Sequence, residues 1–141
     1  MMTQPDGTRP IENQTGMSAQ DQLRRELLIS GLYDWVPLAQ VDSAISRDDL
    51  AETLLAHQDL VLRTIRTLVE DGLMEIGDLP DAGEKFAAWN LSVDAAMERV
   101  TDCFVRHHDN PTLWEFSIWL NLTDAGERTA KALEAKTADG A

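Results

Sequence analysis

The sequence contains a single cysteine, Cys103, and has no long apolar run. One cysteine cannot form an intramolecular disulfide, so nothing requires an oxidising compartment. No stretch has the length that a membrane span needs. Residues 1–17 lack the charged start, the apolar segment and the cleavage site of an export signal. These absences predict a soluble protein of the reducing cytoplasm that does not contact a membrane.

Motifs of catalysis are missing as well. The eight glycines are dispersed, and neither a phosphate-binding glycine loop nor a nucleophile-elbow motif is present. Cys103 and His107 stand four residues apart on a predicted helix, which would allow a metal site or a Cys–His pair. A closed zinc site needs four ligands, however, and no second ligand pair has a suitable spacing. We therefore expect no metal, no cofactor and no enzymatic activity.

Basic residues are scarce: 12 Lys and Arg stand against 25 Asp and Glu, which gives a formal net charge of -13. Nucleic acids gain affinity from Lys and Arg that displace counterions, so a large acidic excess opposes their binding. The charge favours a partner with a basic surface instead. Acidic surfaces also serve solubility alone, and the composition leaves both explanations open.

The length of 141 residues, 43% of them hydrophobic, predicts one folded domain. Residues 1–17 are mostly polar and include two prolines and two glycines, so we expect a disordered tail. The domain is predicted to occupy residues 18–136, and residues 137–141 to be frayed. Three methionines are candidates for the start of translation: Met1, Met2 and Met17.

Capping residues and hydrophobic spacing predict helices in the first part of the domain. Ser18 begins a capping-box pattern, and Gly31 suits the residue that follows a helix. Pro37 suits the first position of a second, shorter helix. A third element, either separate from the next helix or merged with it, is predicted to turn three leucines inward: Leu50, Leu54 and Leu55.

Aliphatic residues at helical spacing then predict a longer helix that ends at Asp71-Gly72. Alternation in Leu73–Gly77 indicates a half-buried strand. After a turn with Pro80 and Gly83, residues 86–91 predict a second short strand.

Ser92 caps a further predicted helix that carries two stripes. Its apolar stripe comprises Val93, Met97, Val100 and Phe104. Its other stripe, which we name the acidic stripe, comprises Asp94, Glu98 and Asp102. Like charges four residues apart repel by a few tenths of a kcal/mol, and a basic partner would relieve that repulsion. The acidic stripe is therefore a candidate partner-binding face, with a solvated face as the alternative.

An aromatic segment with strand-like alternation follows, from Leu113 to Leu122. Trp114 and Phe116 are predicted on its buried face, and Trp119 on the opposite face. If Trp119 is exposed it is a candidate anchor for a partner, and if the preceding helix covers it, it belongs to the core. A last helix is predicted to turn three residues inward: Gly126, Ala130 and Leu133.

Two of these stretches resemble winged helix-turn-helix regulators of the MarR and PadR kind. Leu62–Leu73 resembles a recognition helix with its exit turn, and Leu122–Arg128, after an aromatic strand, resembles the close of a wing. The resemblance implies an α+β fold, with helices packed on a small antiparallel sheet in a single winged-helix-like domain. The predicted helix after Ser92 makes this wing unusual, because it lies in an insert, residues 80–112, between the wing strands.

In DNA-binding members of this superfamily the recognition helix enters the major groove. Carried over by position, the contacts to DNA fall to four residues: Arg63, Thr64, Arg66 and Thr67. The resemblance thus implies a DNA-binding transcriptional regulator. Net charge favours a different hypothesis, a non-enzymatic protein-interaction module such as an immunity or antitoxin-type protein that masks a basic partner. A homodimer is compatible with either.

Overall fold

Five α-helices pack on a four-stranded antiparallel sheet in the computed structural model, which describes residues 17–79 and 85–140, with side chains to residue 136. The helices are α1 (Ala19–Gly31), α2 (Leu38–Arg47), α3 (Leu54–Glu70), α4 (Val93–Thr101) and α5 (Asp124–Gly140). The strands are β1 (Val36–Pro37), β2 (Met74–Asp78), β3 (Ala87–Ala88) and β4 (Trp119–Leu122). The predicted α+β, winged-helix-like fold class is confirmed. None of the described helices combines the length and the apolar character that crossing a bilayer requires.

The sheet has the strand order β1-β4-β2-β3, so β4 lies between two strands that precede it in the chain. Leu120 of β4 is opposite Val36 on one side and Ile76 on the other. All three side chains are buried, because they line up across the core-facing side of the sheet. Helices α1 and α3 complete this core with residues at helical spacing: Leu23, Leu27, Val61, Ile65 and Leu68.

The two predicted wing strands, β2 and β4, pair directly, and residues 79–118 form the insert between them. The insert contains β3, α4, a π-helical turn at Asp102–Arg106 and a 3-10 turn at Pro111–Leu113. The extra helix is therefore where the sequence places it. Both ends of the insert lie outside the predicted bounds of 80–112.

The aromatic strand is shorter than predicted. β4 begins at Trp119, and the chain turns through residues 114–117. Trp114 is buried as expected, but it packs edge-on against Phe104 of the insert with ring centroids 4.9 Å apart. Phe116 is 64% exposed, so its predicted place on the buried face is wrong. Phe116 lies in the turn at residues 114–117 rather than in a strand, so the alternation of a strand does not apply to it.

The same turn completes the start of α2. Val36 and Pro37 form β1, and Pro37 precedes α2 without a side chain that could cap it. Backbone carbonyls supply the missing acceptors: Leu38 N donates to Ile118 O at 2.9 Å and Ala39 N to Glu115 O at 3.0 Å. These bonds satisfy two of the free N–H groups that every helix start carries.

Other predicted boundaries differ by a few residues or fall outside the described parts of the chain. Gly31 is the last residue of α1, and α5 continues to Gly140, past the predicted end of the domain at residue 136. The predicted tail, apart from Met17, and the predicted turn at residues 80–84 lie outside the described residues.

Candidate functional site

Arg63, the first predicted DNA contact, lies exposed on α3 and is held by two neighbours. Its Nε donates to Asp59 Oδ2 at 2.7 Å, one helical turn earlier, and its Nη1 donates to Gln20 Oε1 of α1 at 2.8 Å. The guanidinium of Arg63 is therefore hydrogen-bonded, and its charge is paired, within the chain.

Arg66, the second predicted contact, joins α3 to the insert. Its Nη1 lies 2.9 Å from Asp94 Oδ1 of α4 and 3.2 Å from Glu70 Oε2. The hydrogen bond to Asp94, followed by that to Glu70, raises the pKa of the guanidinium. Contact with a phosphate would require Arg66 to give up these two carboxylates.

The two threonines do not form an accessible pair. Thr64 is fully buried, because its position in the helical spacing places it on the same face as Val61, Ile65 and Leu68. Its predicted contact with DNA is wrong for this conformation. Thr67 is half-buried, and its hydroxyl donates to the backbone O of Thr64 at 2.9 Å. The aliphatic spacing that predicted α3 already contained the signal for Thr64.

The acidic stripe is exposed, but its carboxylates already have basic partners. Arg106 lies at the end of the π-helical turn, with its Nη1 2.6 Å from Glu98 Oε2 and 3.5 Å from Asp102 Oδ1. Asp94 pairs with Arg66, as described above. The hydrogen bond to Glu98 is the main cause of the raised pKa of Arg106. The charges of two arginines thus partly offset those of three carboxylates. This weakens the negative electrostatic potential of the acidic stripe toward a partner.

Trp119 is half-buried. Its Nε1 donates to the backbone O of Phe116 at 2.8 Å, and the two rings lie 6.1 Å apart. Sequence reasoning left open whether Trp119 is an exposed anchor or a core residue, and the structure places it between these two cases. Phe116 is the more exposed aromatic residue of this pair.

Cys103 lies half-buried beside the apolar stripe of α4. Burial, followed by the nearby charge of Asp102, raises the pKa of its thiol, which disfavours the reactive thiolate. His107 turns its Nδ1 to the backbone O of Asp102 at 2.9 Å. Within the described parts of the chain, no group of three or more His, Cys, Asp and Glu residues is arranged to hold a metal ion.

A different surface forms where α2 turns into α3, and sequence reasoning missed it. The predicted element with three inward leucines does not exist as such: Leu50 is half-buried, whereas Leu54 and Leu55 are 56% and 79% exposed. Both lie in the first turn of α3, which starts after the Thr53 cap and projects beyond the core. The prediction that Leu54 and Leu55 face inward is therefore wrong.

Acidic residues border these two leucines along the chain. Asp49 and Glu52 are exposed, and neither forms an ion pair with the described residues. No Lys or Arg occurs between Arg47 and Arg63, and Arg47 is itself engaged by Glu26 and Asp48. We name the surface formed by Asp49, Glu52, Leu54 and Leu55 the α3 tip.

The turn that carries the α3 tip has a defined backbone geometry. Asp49 N donates to Ser46 O at 3.3 Å and Leu50 N to Ile45 O at 3.0 Å, with Asp49 in the left-handed region at φ 54°. This pair of bonds is the Schellman motif, in which glycine usually takes the left-handed position. Here a carboxylate-bearing residue occupies it.

The ion pairs on α3 bear on whether this helix could bind DNA. A helix that reads DNA presents free arginines to phosphates and base edges, whereas both arginines of α3 contact carboxylates of this chain. No protein-family model, curated protein or solved structure matches the chain.

Proposed function

We propose that this chain is a non-enzymatic protein-interaction module that binds a protein with a basic surface. The observation that carries the proposal is the state of α3: its two arginines are paired with Asp59, Glu70 and Asp94, so a polyanion would have to displace these carboxylates. The formal net charge of -13 supports the same conclusion. An immunity or antitoxin-type protein that masks a nucleic-acid-binding surface is a concrete form of this function, and the single cysteine suits the cytoplasm.

Electrostatic attraction governs how such a protein would find its partner. Opposite charge on two surfaces accelerates encounter, and salt screens this effect over about 10 Å at moderate ionic strength. Association of this chain with its partner should therefore slow as salt is added. Apolar contacts are less sensitive to salt, so an interface with an apolar centre should retain part of its affinity.

The second candidate is a DNA-binding regulator of the winged-helix class, and the fold class favours it. Helix α1, strand β1, helices α2 and α3, and strands β2 and β4 follow one another in the chain, and β4 lies between β1 and β2 in the sheet. For this function, Arg63 and Arg66 would have to leave their carboxylates and turn to DNA.

One capture experiment separates the two candidates. The full chain, immobilised by a terminal tag, is incubated with an extract of its native cells and washed with increasing salt, and protein and DNA in each fraction are both quantified. We expect a stoichiometric basic protein that elutes at raised salt. Enrichment of a discrete DNA segment would contradict the proposal, particularly if Arg63→Ala with Arg66→Ala abolishes it. Retention of neither would also contradict it.

A further inference from the structure

We infer that the α3 tip is the docking site, and that it receives an amphipathic helix with leucine-like residues on one face and Lys or Arg beside them. This inference rests on the proposed function and names the surface and the partner chemistry. Leu54 and Leu55 are adjacent, largely exposed and followed by exposed Ala56. We refer to these three consecutive exposed apolar residues at the start of α3 as the apolar patch.

The charges beside this patch specify the partner. Asp49 and Glu52 are exposed and lack basic partners among the described residues, unlike the acidic stripe, where arginines hold all three carboxylates. An apolar residue of the partner would cover the leucines, and its cations would meet free carboxylates. The arrangement is that of an apolar centre with a charged rim, as in protein interfaces generally.

The backbone at Asp49 gives independent support. Helices α2 and α3 end in the same pair of hydrogen bonds, and α3 has Gly72 in the left-handed position, at φ 73°. α2 has Asp49 in that position, although glycine adopts it with less strain. Asp49 thus carries its charge in a backbone conformation that glycine usually takes, five residues before Leu54 in the chain.

Other occupants fit the α3 tip less well. The same carboxylates repel the phosphates of a nucleic acid. A second copy of this chain would bring two more Asp49 and Glu52 side chains against the first pair. The exposed aromatic residues Tyr33 and Phe116 offer poorer sites: Tyr33 donates its hydroxyl to Glu134, and Phe116 packs beside Trp119.

The test uses the full chain and two synthetic helical peptides of about 18 residues, five turns each. One peptide has leucines on one face and lysines on the other, and its companion has serine in place of every leucine at equal charge. Binding is mapped by amide shifts in heteronuclear NMR spectra, and affinity is measured by calorimetry at low and moderate salt. We expect shifts confined to residues 48–59 and clearly weaker binding of the serine peptide.

Variants isolate the two parts of the surface. Leu54→Ser with Leu55→Ser should weaken binding about tenfold or more, as for residues at the centre of an interface. Asp49→Asn with Glu52→Gln should reduce mainly the salt dependence. Phe116→Ser and Asp109→Asn serve as controls at exposed positions elsewhere on the chain, and both should bind normally. Thermal melts verify that each variant is folded.

The outcomes distinguish the inference from the proposed function. If the leucine peptide binds but its shifts map to the acidic stripe or to Phe116, or if the leucine variants bind it normally, the docking site is wrong while the protein-binding function stands. If neither peptide binds and the capture experiment yields DNA, both are overturned.

Discussion

Replacing Asp49 by glycine should stabilise the protein, although it removes a residue of the proposed docking site. A non-glycine residue in the left-handed region costs about 1–2 kcal/mol, with Asp toward the lower end. Glycine removes this cost, but it also increases the entropy of the unfolded chain, which lowers the free energy of unfolding by roughly 0.4–1 kcal/mol. We therefore expect the free energy of unfolding to rise by at most about 1 kcal/mol.

The C-terminal end of α3 allows the opposite substitution, of glycine by a residue with a side chain. Gly72 has the same place in the same motif, and a Cβ added there meets nothing within 4 Å, so only the backbone conformation opposes a side chain. Gly72→Ala should therefore lower the free energy of unfolding by about 1 kcal/mol. Asp49→Asn, which removes the charge and keeps a residue that tolerates the left-handed region, measures the contribution of the carboxylate separately.

Urea denaturation followed by tryptophan fluorescence gives the free energies, and the thermal midpoint of Asp49→Gly should rise by at most about 4 °C. The same variant should bind the leucine peptide as weakly at low salt as Asp49→Asn does, because both lack the carboxylate. A fall in the free energy of unfolding on Asp49→Gly would contradict this prediction. It would mean that the aspartate stabilises the turn, and its presence there would no longer indicate a role in binding.

Three further predictions concern single side chains. Thr64→Val should raise the free energy of unfolding by about 1 kcal/mol in urea titrations, because the buried hydroxyl has no partner among the described residues and valine has nearly its shape; a loss of stability would contradict this. Gly126→Ala should lower it by about 2 kcal/mol or more, since the new Cβ would lie 1.9 Å from Leu73 O, and a neutral result would show that this approach is not close. Tyr33, the only tyrosine, should titrate above its ordinary pKa of 10.0, because its hydrogen bond to Glu134 favours the neutral form. Its contribution to stability is then fully present below that pH and is lost as the pH rises through the raised pKa. In Glu134→Gln the tyrosinate absorbance should appear at lower pH, and identical titrations would exclude the bond.

Local patterns predicted much of the fold, where one stretch of chain determines its own structure. The helical spacing of α3 and its stop at Gly72, the alternation of β2 and the Ser92 cap of α4 all depend on neighbouring residues, and the structure confirms them. The fold class followed from these elements and from the resemblance.

Contacts between distant segments account for what sequence could not predict. The alternation after Leu113 suggested a long strand, but Trp114 packs against Phe104, ten residues earlier in the chain, and β4 begins only at Trp119. Arg66 and Asp94 are 28 residues apart in the chain, so no spacing rule could show that the acidic stripe is partly neutralised by α3. The α3 tip was missed for a similar reason, because exposure of its leucines depends on where the core ends.

The pairing of β1 has a consequence for the time at which this protein can fold during its synthesis. Val36 pairs with Leu120, and the first amides of α2 depend on the carbonyls of Glu115 and Ile118. A chain grows at roughly 5–20 residues per second. Several seconds therefore pass between the synthesis of the first residues of α2 and that of these acceptors. The N-terminal helices therefore emerge with an incomplete core, which β4 and α5 complete once they have been synthesised.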